Sequence, residues 1–386
     1  MINKRKICVV VTARPSYSRI KTALLAIKEH PQLNLQLVVA ASALLSKYGS
    51  AVKVIEKDNF KIDAKVFNVV EGGDLSISAK TTGLGIIELA TVFNNLKPDI
   101  VVTIADRFET ISTAIAASYM NIPLAHIQGG EVTGNIDEKV RHAITKLADY
   151  HFVASKKAFE RVLKLGENEA SVFNTGCPSI DIALNVLNKP EIKFELHKKY
   201  PGVGNHIDIN DNYLMVLQHP VTTEFNNSYN QIEETLNAVK SLEIPALWFW
   251  PNIDTGGDNT SKGIRNFREN NPDSKFYFVK NVEPDDFLRL ALNSKCLIGN
   301  SSVGVRECSY LGVPVVNIGS RQNMRQRGKN IIDVDYKRDE IIKAITLQVK
   351  NGRYDKNEIY GSGKAGIKIA DNLSKVYLKS HKTITY

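Results

Sequence analysis

Short runs of apolar, mostly β-branched residues alternate along the chain with longer stretches in which apolar positions recur at helical spacing. Lys6–Thr12 (KICVVVT) reads as a buried strand, Ser18–Lys28 as a helix and Leu35–Ala40 (LQLVVA) as a second strand. Helical spacing returns from about Ser76 to Leu96, where Lys97 and Pro98 stop it, and Asp99–Ile104 (DIVVTI) is the next strand. Phe108–Met120 then reads as helix, Pro123–Ile127 as strand, Asp137–Ala148 as helix and His151–Ala154 as strand. These strands are apolar almost without interruption, so both of their faces need cover. That is the signature of a parallel sheet with helices on each side.

The rhythm fails over a polar stretch from Asn188 to Asp211 that carries Pro190, Pro201, Gly202 and Gly204. It restarts at Tyr213–Gln218 (YLMVLQ), with further strands at Ala246–Trp250, Phe276–Val279, Lys295–Ile298 and Val313–Ile318. The reading is α/β: two doubly wound Rossmann-like domains facing a cleft. Residues 1–187 form the first domain and 188–363 the second. The helical stretch in 364–386 is free to pack back on the first domain. In doubly wound sheets, ligands bind outside the carboxyl ends of the strands, so the loops there are where chemistry is to be sought.

Composition narrows the classes. At 386 residues the chain exceeds what one core usually organises. Hydrophobic residues at 43% and charged residues at 24% are ordinary for a globular protein. No apolar run approaches the roughly 18 residues that cross a bilayer. The stretch after the charged Met1–Lys6 ends at Ala13, Arg14 and Pro15 without a cleavage pattern, so a cytoplasmic location is expected, with no membrane contact. Cys8, Cys177, Cys296 and Cys308 form no CxxC pair and read as small buried thiols. The net charge of +9 is scattered, with no basic run of five, so nucleic acid is not the expected partner. A small polyanion suits the charge better.

The strand-end loops carry the candidate chemistry, each with a plain structural alternative. Arg14 and Ser18 follow the first strand; they contact an anion, or they belong to a turn in which Ser16 or Ser18 caps a helix. No G-x-G-x-x-G accompanies them, so a nicotinamide cofactor is unsupported. Asp106 and Arg107 end the DIVVTI strand, as a reactive pair or a surface ion pair. Gln128, Gly129, Gly130 and Glu131 follow the next strand, and the glycines permit close backbone approach. Asp137 and Arg141 are four apart on one helix face, so Arg141 is expected to lower the Asp137 pKa; His142 is adjacent. His219–Pro220 and Pro251–Asn252 close two strands of the second domain. The strongest signal is Gly299-Asn300-Ser301-Ser302 with Glu307 beyond it. Two hydroxyls and free N–H groups gather at a helix start, where a phosphate fits, and Glu307 is placed to accept from ribose hydroxyls. Gly319-Ser320-Arg321 adds a further cation.

Taken together, TARPSYSR, ADR, HIQGGEVTGNIDEKVRHAITKLADYHF, LQHP, IGNSSVGVRE and NIGSRQ resemble the hydrolysing UDP-N-acetylglucosamine 2-epimerases of sialic and related nonulosonic acid synthesis, over about residues 6–330. The resemblance implies the glycosyltransferase-B architecture and a homodimer or homotetramer. It implies UDP on the second domain, with Ser301 and Ser302 at the diphosphate and Glu307 at the ribose. Arg14, Ser18, Arg107, His219 and Arg321 would line the diphosphate and sugar side, and Asn252 with the segment from Phe278 to Val282 would surround the uracil. The sugar would lie near Asp106, Gln128, Glu131, Asp137 and His142.

Family members take the proton from C2 and expel UDP from C1; water then adds to the 2-acetamidoglucal. That chemistry uses neither metal nor organic cofactor. The chain departs from the family pattern at Gln128, where the pattern carries Glu, and an amide accepts no proton. Proton handling then falls to Asp106, Glu131, Asp137 or a histidine such as His219, with Asp106 and Asp137 favoured and Gln128 as a positioner. The departure also opens two alternatives. One is the same chemistry on UDP-2,4-diacetamido-2,4,6-trideoxyglucose, and the other is a non-catalytic UDP-sugar-binding protein.

Overall fold

A computed structural model describes residues 4–46, 49–70, 75–105, 107–132, 136–251, 257–280, 282–378 and 382–385, leaving out the side chains of Leu75, Ile136, Asp137 and Thr222. The chain divides into two compact units. The first comprises Met1–Val132, Ile136–Asp181 and Tyr360–Tyr386; the second is built on Ile182–Ile359.

The first unit carries seven strands: β1 (Arg5–Val11), β2 (Leu33–Ala40), β3 (Ala64–Val66), β4 (Ile100–Ile104), β5 (Leu124–Ile127), β6 (Tyr150–Val153) and β7 (Val172–Asn174). They pair in the order β3-β2-β1-β4-β5-β6-β7, all parallel. Its helices are α1 (Arg14–Glu29), α2 (Ala51–Lys57), α3 (Leu75–Leu96), α4 (Thr110–Tyr119), α5 (Ile136–Leu147) and α6 (Lys156–Lys164). The unit boundary falls within α7 (Pro178–Asn188). Alternate residues of β1 explain the unbroken apolar strand. Ile7, Val9 and Val11 enter one core with Ile20 and Leu24 of α1, while Cys8 and Val10 enter another with Leu89, Phe93 and Ala114.

The second unit holds α8 (Leu196–Lys199), β8 (Val203–Gly204), β9 (Leu214–Leu217), α9 (Ser228–Ser241), β10 (Ala246–Phe249), α10 (Gly257–Asn270), β11 (Phe276–Val279), α11 (Pro284–Asn293) and β12 (Cys296–Gly299). It continues with α12 (Ser302–Val305), α13 (Glu307–Leu311), β13 (Val315–Ile318), β14 (Ile331–Val334) and α14 (Arg338–Asn351). The order is β14-β13-β12-β9-β10-β11-β8, parallel except for the short edge strand β8. In each sheet the winding reverses beside the first long strand, between β1 and β4 and between β9 and β12. Both are doubly wound, and the switch points mark where ligands settle.

Two local readings change. The first helix begins at Arg14 rather than Ser18, because Pro15 in its first turn lacks an N–H that would be orphaned there anyway. Its N-cap is therefore Ala13, without a side-chain cap, and Ser18 donates to the Arg14 carbonyl instead (3.3 Å).

A last helix, α15 (Ala365–Lys375), returns the chain to the first unit. Ile369, Ala370 and Leu373 join the core under α1. Asp181 caps its start: one carboxylate oxygen accepts from the Ala365 N–H (2.8 Å), the other from the Gly366 N–H (2.8 Å) and the Thr22 hydroxyl (2.9 Å). Asp181→Ala should lower the stability of this unit by about 1–2 kcal/mol, the range for a lost cap. Denaturant titration checks this; an unchanged midpoint would show that the cap contributes nothing.

Candidate functional site

In the first unit, Ala105 (φ 66°) and Gln128 (φ 65°) follow β4 and β5 directly, and both hold left-handed backbone without being glycine. Each such turn costs on the order of 1–3 kcal/mol and persists only where its surroundings enforce it. His126 supplies part of that enforcement. Its Nε2 lies 2.9 Å from the Ala105 carbonyl and its Nδ1 3.2 Å from the Thr145 hydroxyl. Burial lowers its pKa to about 3, so the ring is neutral. A carbonyl can only accept, which places the proton on Nε2. The turn leading to Asp106 is thereby tied to β5; Asp106 itself lies outside the described residues.

Arg107 pairs with Glu109 (Nε to Oε2 3.2 Å), and the Glu109 carboxylate is buried. Glu109 also lies 3.1 Å from the Ser42 hydroxyl, which is 2.9 Å from the Thr12 carbonyl. One buried acid thus ties together the carboxyl ends of β1, β2 and β4. The signal in the sequence for Glu109 is only an acid two residues past Arg107. Arg14 Nη1 is 3.4 Å from the Gly49 carbonyl.

Gln128 is buried, and its Nε2 is 2.9 Å from Cys177 Sγ, which is 2.9 Å from the Ser179 hydroxyl. Cys177, read only as a buried thiol, therefore helps to orient Gln128. Glu131 and Arg141, both buried, approach to 3.5 Å, and Arg141 Nη1 is 3.5 Å from the Gln128 carbonyl. His142 meets Glu138, one turn away, at 2.8 Å. The Asp137 side chain, and with it the expected Asp137–Arg141 pair, lies outside the described residues.

In the second unit the switch point is locked by a reciprocal pair. The His219 N–H donates to Asn300 Oδ1 and Asn300 Nδ2 donates to the His219 carbonyl, both at 2.8 Å. The Asn300 carbonyl accepts from Gln322 (2.8 Å) and Arg321 (3.3 Å). Asn300, fully buried, is the hub that orders the Gly-Asn-Ser-Ser turn. Ser301 is the N-cap of α12, its hydroxyl 3.4 Å from the Val303 N–H, and Ser302 opens the helix. The helix that starts here breaks at Arg306 (φ −102°, ψ −76°), and Glu307 opens a second one, α13. Anion attraction here would rest on local N–H groups and hydroxyls rather than on a long dipole. Glu307 is 8% exposed, and its Oε2 is buried with no hydrogen-bond partner among the described residues. A buried carboxylate oxygen left without a donor is costly, so an outside donor would be strongly held there.

The uracil expectation needs correction at Phe278. Its ring is 1% exposed and packs against Trp248 and Trp250 in the core, so it offers no face to a ligand. Val282 is half-buried, and Asn252 lies outside the described residues. A hollow of about 590 Å³ borders Gly319 and Ser320, but Glu224, Asp333, Asp335 and Glu340 line it. Such a wall repels a diphosphate. All four cysteines are free and buried. Among the described residues, no three His, Cys, Asp or Glu side chains gather to hold a metal, and no helix is long and apolar enough to cross a membrane.

Comparison with known proteins gives this arrangement a context. A hydrolysing UDP-N,N'-diacetylbacillosamine 2-epimerase of Legionella pneumophila is 31% identical over 97% of this chain and 97% of its own length. A UDP-N-acetylglucosamine 2-epimerase of Neisseria meningitidis is 28% identical over 93% of this chain and 91% of its own. The crystal structure of a UDP-GlcNAc 2-epimerase from Neisseria meningitidis bound to UDP-GlcNAc shares the fold, with a TM-score of 0.81 at 20% identity, covering 96% of this chain and all of that one. The family described as UDP-N-acetylglucosamine 2-epimerase matches residues 25–374. With that match spanning both doubly wound units, the chain belongs to the UDP-N-acetylglucosamine 2-epimerase family.

Proposed function

We propose that this protein is a hydrolysing 2-epimerase that converts UDP-N-acetylglucosamine and water into N-acetylmannosamine and UDP. The observation that carries the reading is the two-way match, 97% of each chain, to a hydrolysing 2-epimerase. The geometry within each unit supports it. In the second unit, Ser301, Ser302 and Arg321 surround the locked turn where the diphosphate would bind, and the unpartnered Glu307 oxygen suits two ribose hydroxyls. In the first unit, the enforced turn at Gln128 is contacted by Arg141, which also meets Glu131, and Asp106 follows the enforced turn at Ala105 in the sequence.

A base takes the C2 proton as the C1–oxygen bond breaks, and the bonding pair leaves with UDP, giving 2-acetamidoglucal. Water then adds across that double bond, its oxygen to C1 and a proton to C2 on the face opposite the one that lost its proton, which inverts C2. Asp106 and Asp137 are the proton carriers in this reading, and Gln128 holds the sugar by hydrogen bonds without exchanging a proton. Charge that develops on the leaving diphosphate is met by the hydroxyls, N–H groups and arginine. A non-catalytic binding protein is no longer a useful reading, since the relatives over nearly the whole chain are named as enzymes.

A second substrate is favoured by a specific observation. The Legionella relative, named for UDP-N,N'-diacetylbacillosamine, has the higher identity and coverage of the two. UDP-2,4-diacetamido-2,4,6-trideoxyglucose would undergo the same two steps. Purified protein given each nucleotide sugar, with no acceptor, should release UDP and a free reducing sugar from one of them. Release from neither would contradict the reading. Four buried free thiols suit a reducing compartment, so we place the reaction in the cytoplasm. A homodimer or homotetramer belongs to the same proposal, and light scattering decides it.

Glu307→Ala should weaken UDP binding about 10–100-fold, the loss of one charge-assisted hydrogen-bonding group. Calorimetry with UDP checks this, and an affinity within twofold of the parent would remove Glu307 from the ribose site.

A further inference from the structure

Lys382 lies beyond α15, in the described tail segment 382–385, and reaches back into the first unit. Its Nζ donates to the Ala148 carbonyl (2.5 Å) and the Thr145 carbonyl (3.0 Å) at the carboxyl end of α5, and it meets Glu167 Oε2 at 2.6 Å. An ammonium has three donors, and here each finds an acceptor. The Glu167 side chain is 3% exposed and is also met by Lys146 (2.7 Å) and His151 (3.1 Å). Burial alone would raise its pKa, but hydrogen bonds from His151, Lys146 and Lys382 outweigh it and hold the group at about 2. The tail around Lys382 is seated as well. The Thr385 N–H donates to the Gly166 carbonyl (3.0 Å), Ile384 packs over Gly166, and the Tyr150 hydroxyl donates to the Tyr377 carbonyl (2.5 Å).

The helix end that Lys382 holds is linked to both strand-end turns of the candidate site. Thr145, whose carbonyl Lys382 engages, meets His126 through its hydroxyl, and His126 holds the Ala105 carbonyl. One turn back along α5, Arg141 reaches the Gln128 carbonyl and Glu131. A cation is also the favoured charge at a helix carboxyl end.

We propose that Lys382 is a positioning residue of the reaction: by clamping the carboxyl end of α5 it fixes the helix that sets the Ala105 and Gln128 turns. The proposal rests on the functional reading above, since those turns matter to turnover only if they carry the chemistry. Lys382 touches no substrate. Its effect runs through α5, so it should appear in kcat and leave UDP affinity alone.

The test uses the full chain with Lys382→Met, which keeps length and removes the donors, and Lys382→Arg, which keeps a cation. Hydrogen exchange of the α5 amides, kcat, KM and UDP affinity are measured well below each variant's Tm. Lys382→Met should exchange at least tenfold faster in α5 and lose about tenfold in kcat, with KM and UDP affinity within twofold of the parent. Lys382→Arg should regain most of the kcat. If Lys382→Met does not fold, Lys382→Gln, which keeps two donors, carries the same comparison. Exchange and kcat within twofold of the parent in a folded variant would overturn the clamp. A parallel loss of kcat, KM and UDP affinity would also overturn it, by showing a merely structural tail. Parent protein inert toward every UDP-linked acetamido sugar would overturn the functional reading and the positioning role with it; the exchange result would still separate a clamped helix from a loose tail.

Discussion

Replacing Asp106 by asparagine is expected to lower kcat by about 10²–10⁴-fold, the usual contribution of a placed general base, with UDP affinity within twofold of the parent. The residue follows Ala105, whose left-handed turn is held by the neutral His126 through its carbonyl. Proton transfer requires a base held in one orientation, and a fixed residue immediately before it in the chain serves that end. The amide that follows β5, Gln128, cannot take over, because it accepts no proton and its Nε2 is engaged by Cys177. The main UDP contacts proposed, Ser301, Ser302 and Glu307, belong to the second unit, so they should survive the change. Steady-state kinetics and calorimetry on Asp106→Asn read the two effects separately. Retention of more than a tenth of kcat would move the base elsewhere, with Asp137 the next residue to replace.

Gly299→Ala should be severely damaging for a single added methyl group. Gly299 ends β12 at φ 126°, a conformation that side-chain-bearing residues rarely adopt. A Cβ there would lie 2.2 Å from the Leu217 carbonyl oxygen and 2.6 Å from its carbon, in the paired strand β9. Relief requires β9 or β12 to shift, and with them the His219–Asn300 lock and the Ser301 cap. Strain and overpacking together are expected to cost roughly 2–6 kcal/mol. UDP affinity should fall more than tenfold in whatever fraction still folds. Gly83→Ala, within α3 and with nothing within 4 Å of the added carbon, is the matched control; it should be neutral or stabilise by about 0.5–1 kcal/mol. Equal midpoints for the two variants in denaturant would refute the packing argument.

The doubly wound class was legible because the strands are apolar on both faces, and Ile7–Val11 shows why: successive residues fill two different cores. The shortest elements were not legible. β3 is three residues, Ala64–Val66, and β8 two, Val203–Gly204; neither is long enough to develop a period. The strand ends that carry the candidate site could be located from turn residues. What holds them could not, because it comes from residues distant in sequence. Glu109 joins three strand ends, Cys177 meets Gln128 from 49 positions away, and Lys382 meets Thr145 from 237. Phe278 illustrates the opposite error. The family resemblance put the segment from Phe278 at the uracil, yet alternation in β11 turns the Phe278 ring into the core. The break at Arg306 is likewise invisible in a stretch that lacks Pro and has Gly304 as its only glycine before Gly312.

The most direct measurement incubates the protein with UDP-N-acetylglucosamine, and in parallel with the 2,4-diacetamido-6-deoxy analogue, in deuterated water, and follows the products by proton NMR. Elimination followed by hydration requires UDP and a free sugar with the manno configuration, carrying deuterium at C2. Free sugar that keeps its C2 proton, or intact nucleotide sugars beside tightly bound UDP, would contradict the account.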